Sequence, residues 1–135
     1  MRIIVIEPGY DRWRRIWVAL GPLLGPSMIR VRTVGDARDM CRRKSPDMVI
    51  VGLEGGAAVI PSTIAWHRDL YTRPPLVVVA GVMPGPEHAE LLRAGASLCT
   101  SLDHGAPTRI AEVLIAHFRR PPPNSPSRAR RSPTL

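Results

Sequence analysis

Two acidic residues stand where this chain could do chemistry. Glu7 follows the apolar run Ile3-Ile4-Val5-Ile6, and Glu54 follows Met48-Val49-Ile50-Val51 by two residues. Carboxylates at the ends of neighbouring strands can share a divalent cation, since Mg²⁺ is held by one or two carboxylates and completes its shell with water. The plainer reading is a loop acid and an exposed acid, and no metal is expected. Gly55-Gly56 ahead of a helix could offer backbone N–H groups to a phosphate. Neither GxGxxG nor GxxxxGK[ST] is present, so we read the pair as a loop that needs conformational freedom. His67, His88, His104 and His117 have no Ser/Asp or Cys partner at a recognisable spacing and read as surface or helix-packing residues. Cys41 and Cys99 belong to no CxxC or Cys/His cluster. No catalytic residue and no cofactor is expected.

The elements that would position these residues alternate. Met48 to Val51 is an unbroken apolar run rich in β-branched residues that suits a strand covered on both faces, and Ile3–Ile6 and Leu76–Ala80 share that character. Ile29, Val31 and Thr33 alternate with Arg30 and Arg32, which predicts an edge strand; Ser97 to Leu102 is a weaker fifth strand. Helical spacing places Trp13, Ile16, Trp17, Leu20 and Leu24 on one face of a first helix, with Asp11 as its N-cap or first-turn acid, disturbed or ended near Gly21-Pro22. A short helix is expected from Asp36 through Arg43 with Ala37, Met40 and Cys41 inward, and another from Pro61 to Tyr71 with Ile64 and Leu70 inward. Glu87 to Arg93 reads as a helix closed by Gly95, and Pro107 opens a last helix carrying Ile110, Val113, Leu114, His117 and Phe118. Strict strand-helix alternation predicts a three-layer flavodoxin-like (βα)5 fold, a doubly wound parallel sheet of order 2-1-3-4-5.

The chain has 135 residues, one domain's worth, and a formal charge of +8. Residues 119–135 hold five arginines and no acid, which leaves +3 for residues 1–118. That division predicts a domain over 1–118 and a disordered Arg/Pro/Ser-rich basic tail over 119–135. The tail's plain role is solubility; the sharper ones are contact with nucleic acid or an acidic protein, and modification at Ser132. No apolar run approaches the ~20 residues that cross a bilayer, and two cysteines are too few for a secreted disulfide scaffold. A cytoplasmic protein with no membrane contact is expected.

Arg93-Ala94-Gly95-Ala96-Ser97, followed by a short strand and a proline-started helix, resembles the junction of the fourth helix and fifth strand in two-component response-regulator receiver domains. Arg2 to Pro8, Ser45 to Val51 and Pro75 to Gly81 resemble that family's first, third and fourth strands. The resemblance implies phosphoryl transfer from a histidine kinase to an aspartate. Two acids after strand 1 would hold Mg²⁺, an aspartate ending strand 3 would be the nucleophile, and a Ser/Thr and a lysine would end strands 4 and 5. Three phosphoryl oxygens carry charge that metal and lysine must neutralise. At the matching positions stand Glu7 and Pro8, Gly52, Ala80 and Leu102, with Asp103 where a proline usually follows the lysine. No aspartate lies from 48 to 68, no serine or threonine from 73 to 96, and the one lysine is Lys44, so no nearby register restores the set.

By resemblance the chain is a pseudo-receiver: scaffold kept, reaction lost. The expected function is a phosphorylation-independent protein-interaction module of bacterial-type signal transduction that is not an enzyme. A partner protein or a second copy would meet the surface of helix 4, strand 5 and helix 5, with Glu90, Arg93, Cys99, Arg109 and Glu112 as candidate contacts. Cys99 stands where receivers often carry an aromatic switch residue. One alternative is a basic regulator contacting nucleic acid through the tail, helix 1 and strand 2. The other is a small-ligand or metal-binding flavodoxin-like protein, with Glu7 and Glu54 the candidate metal ligands.

Overall fold

The central strands are apolar from end to end, so each must be covered on both sides. The computed structural model, which describes residues 1–55, 58–82 and 85–119, shows how. Strands and helices alternate as β1 (Ile3–Ile6), α1 (Tyr10–Leu24), β2 (Met28–Val31), α2 (Val34–Met40), β3 (Met48–Gly52), α3 (Val59–Arg68), β4 (Leu76–Ala80), α4 (Gly85–Ala94), β5 (Leu98–Ser101) and α5 (Ala106–Arg119). The strands pair in parallel in the order β2-β1-β3-β4-β5, the flavodoxin-like architecture the sequence predicts. β2 lies at one edge, and Arg32, just past its end, is exposed.

Alternation along the strands splits the core into two layers. Ile3, Val5, Met48, Ile50, Val77 and Val79 face Ile16, Leu20 and Leu24 of α1 and Ile110 and Leu114 of α5. Ile4, Ile6, Val49, Val51, Leu76 and Val78 face Ala37 of α2, Trp66 of α3 and Leu91 of α4. Burying one such side chain contributes roughly 1.5–3 kcal/mol, so the sheet ends are held by a core that does not depend on any ligand. Gly95 (φ 123°) ends α4: its N–H bonds Leu92 O at 3.2 Å and Ala96 N–H bonds Leu91 O at 3.0 Å, the paired closure that a left-handed residue permits.

Several boundaries differ from the sequence reading. α1 starts at Tyr10 behind Gly9, so that Asp11 is the acid of its first turn and not the N-cap, and it passes through Pro22 to Leu24. Pro22 cannot donate to Val18 O, but Val18 is 73% exposed, on the solvent side of the helix, where the loss of one bond is least costly. The cap of α2 is Thr33, whose Oγ1 accepts from Asp36 N–H at 3.0 Å; the helix stops at Met40, which is 42% exposed and not a core residue. In α3 the buried residues are Thr63, Trp66 and His67, with Ile64 and the following Leu70 only packed on the margin. His67 Nε2 bonds Pro74 O at 2.6 Å, a packing role. Of the two α1 tryptophans, Trp13 packs on the core, while Trp17 is 46% exposed and lies along Gly21 and Gly25. Arg119 closes α5; the rest of the basic tail, from residue 120, lies outside the described residues.

Candidate functional site

In a parallel sheet the carboxyl ends of the central strands open onto a crevice where loops can place side chains. Glu7, Gly52, Glu54, Ala80 and Leu102 do converge there, with Arg12, Arg15 and Gly81 completing the lining. The space they leave is only about 10 Å³, roughly what one water needs.

Glu7 fills the rest. Its side chain is 1% exposed, and its Oε2 accepts from Arg12 Nε at 3.0 Å and from the Gly9 N–H at 2.8 Å. Oε1 points at Gly52, so that a Cβ built on Gly52 overlaps it and lies 3.1 Å from Glu7 Cδ. Gly9 serves the other half of the pair: a Cβ there would lie 2.6 Å from Arg12 Cζ, in the path by which the guanidinium folds back over the loop. Two glycines, one at each end, thus make room for one buried ion pair.

The surrounding loops reinforce this closure. Arg30 reaches from β2 to bond Glu7 O and Pro8 O, each at 3.1 Å, and its guanidinium lies 6.0 Å from the Tyr10 ring centre. Glu54, after β3, accepts from the Gly81 N–H at 2.9 Å and so ties the ends of β3 and β4 together. Arg12 and Arg30, which the sequence offered as basic contacts for nucleic acid, are therefore spent on the protein's own loop; Arg14 and Arg15 of α1 are exposed.

The acceptor chemistry this arrangement can support is narrow. A divalent cation fits poorly: the buried Glu7 carboxylate is already bonded by a guanidinium, and neither Pro8 nor Gly52 offers a side-chain oxygen. Glu54 faces the same notch, yet one of its oxygens is held by Gly81. Glu7 is the carboxylate that stands against Gly52, and the free space beside it is only about 10 Å³.

The residues named for a partner surface do not form one face. Cys99 is 4% exposed, with Sγ 4.0 Å from His88 O beneath α4, so it cannot meet a partner. Burial pushes both the Cys41 and Cys99 thiols above their usual range, which keeps them protonated and unreactive at neutral pH. Glu90 lines a groove between α3 and α4 with Leu53, Ile60 and Leu91, not the β5 side of its helix. Arg109 turns back onto β5, its Nε and Nη2 bonding Thr100 Oγ1 at 3.0 and 2.8 Å while Nη2 also pairs with Asp103. Arg93 and Glu112 are exposed as expected, and the exposed Leu92, which the sequence reading passed over, lies beside Arg93 on α4.

The hydrogen bond from Arg109 holds the Asp103 carboxyl below the usual aspartate range. A depressed acid stabilises its bonded arrangement above the unfolded value and loses that contribution as pH falls through the folded one. Carbon-detected NMR titration of the Asp103 carboxyl should give a midpoint below that of a free aspartate, and Arg109→Gln should raise it, the backbone N–H bonds from Gly105 and Ala106 keeping part of the depression.

No family model and no curated protein matches this sequence. Solved structures do. The N-terminal receiver domain of Klebsiella pneumoniae RstA, in its BeF3-activated form, is similar over 89% of this chain and all of that one, at 18% identity and a TM-score of 0.67. The signal receiver domain of an HD domain-containing protein from Pseudomonas fluorescens Pf-5 is similar over 88% and 98%, at 16% identity and a TM-score of 0.70. A response regulator from Thermotoga maritima is similar over 84% and 97%, at 16% identity and a TM-score of 0.64. The chain therefore has the receiver fold, as the residue-level resemblance implied. Among the described residues no helix is long and apolar enough to cross a membrane.

Proposed function

We propose that this protein is a pseudo-receiver: a non-catalytic, cytoplasmic module of two-component-type signalling that engages a partner protein without being phosphorylated. The single observation that carries the reading is the buried Glu7–Arg12 pair standing against Gly52, where a receiver would hold its acceptor and metal. Arg12 supplies from within the chain the positive charge that a metal would otherwise bring. A phosphoryl group can bias a two-state surface by about 1–3 kcal/mol, and without it any bias must come from a partner's preference for one state.

The surface we assign to the partner is the outer side of α4 and α5, centred on Leu92, Arg93 and Glu112. An exposed leucine beside Arg93 on α4, with an exposed Glu112 on α5, suits a protein contact better than a polyanion. Capture from an extract of the native host, with and without acetyl phosphate, tests this against a Leu92→Glu/Glu112→Arg variant. The same partner should be retained whether or not the phosphodonor is present, and lost by the variant. A partner held only after phosphodonor treatment, or held equally by the variant, would refute the proposal.

A further inference from the structure

Two helices lying side by side on a sheet leave a furrow along their outer seam, and the side chains beneath decide whether it becomes a groove. Between α1 and the start of α5 those side chains are short. Val18, Ala19, Pro22, Leu102 and Pro107 leave an open groove of about 930 Å³, within the range of small-ligand sites.

The charged groups at its rim differ in what they already hold. Asp103 is bonded by Arg109. Arg14, Arg15 and Asp11 have no ion pair among the described residues, although all three line the groove. Two uncommitted guanidinium groups against one uncommitted carboxylate leave the rim net positive, and His104 stands at the same mouth, by the first turn of α5. An apolar floor with a few convergent cationic groups has the chemistry of a site for an amphiphilic anion.

We propose that the α1–α5 groove binds a small organic anion with an apolar body. The body lies on Val18, Ala19, Leu102 and Pro107, and a carboxylate, sulfonate or phosphate meets Arg14 and Arg15. The site is separate from the partner surface and does not depend on the pseudo-receiver reading. Because Arg15 lines both the groove and the Glu7 notch, the anion would lie over the closed end of the sheet.

The probe is 1-anilinonaphthalene-8-sulfonate, compared with N-phenyl-1-naphthylamine, which has the same aromatic body and no charge. Fluorescence titration of the full chain should show one saturable site, at least tenfold tighter for the sulfonate. Arg14→Gln/Arg15→Gln should remove that tenfold preference, and His104→Trp, an exposed loop position, should block the site. Trp17→Ala, on α1 but outside the groove's lining, should leave binding unchanged, as should glutamine at all five arginines of positions 119–135. Equal affinity for the two dyes, loss of binding with either control, or binding that survives both groove variants would overturn the proposal, as would the absence of a saturable phase. Circular dichroism of each variant separates loss of the site from loss of the fold.

Discussion

Gly52→Ala should destabilise the protein by about 2–3 kcal/mol, a large change for adding one methyl group. Alanine is compatible with the β3 backbone, so the cost is steric and local. The new Cβ would overlap Glu7 Oε1, and with about 10 Å³ of free space around it the carboxylate can turn away only by straining the bonds its Oε2 makes to Arg12 and the Gly9 N–H. Urea denaturation gives the measurement, with a lower midpoint and an unchanged slope. The diagnostic is non-additivity. Glu7→Ala vacates the space that the methyl group needs, so Glu7→Ala/Gly52→Ala should be less destabilised than the sum of its single variants by at least 1 kcal/mol.

Arg12→Ala should cost about 3 kcal/mol, more than Glu7→Ala, although the two remove opposite halves of one ion pair. The asymmetry follows from burial. Arg12 is 37% exposed, and once freed of Glu7 it can swing into water. Glu7 is 1% exposed, and without Arg12 its carboxylate keeps the bond from the Gly9 N–H but loses its counter-charge. Leaving a buried charge uncompensated is the expensive way to break a pair. Arg12→Ala/Glu7→Gln should therefore recover part of the loss, since a neutral amide needs no counter-charge. If Glu7→Ala proved the costlier of the two, the pair would be less buried and less important than described here.

The sheet was legible because β-branched runs at Ile3–Ile6, Met48–Val51 and Leu76–Ala80 have few other ways to be buried on both faces. The composition of the crevice was legible too, since Gly52, Ala80 and Leu102 follow from where each strand ends. What filled it was not. Arg12 reads as one of three arginines between the apolar positions of a helix, and nothing in the spacing of Glu7 and Arg12 distinguishes a buried pair from two solvated side chains. The signal lay in Gly9 and Gly52 taken together, which report close approach only once the neighbours are known. Helix phase was the other weak point: a short helix such as α4 has few apolar residues to fix its rotation, so Glu90 turned toward α3 and Leu92 went unnoticed. Cys99 was misjudged because a strand position says which face a residue takes but not what covers it, and α4 covers it.

The central claim is that the strand-end notch is closed to a phosphoryl group by the chain's own carboxylate and guanidinium. Incubation with acetyl phosphate and Mg²⁺, followed by intact-mass spectrometry under conditions that preserve acyl phosphates, tests it most directly. The account predicts a single unmodified mass; a phosphoryl adduct mapping to Glu7 or Glu54 would contradict it.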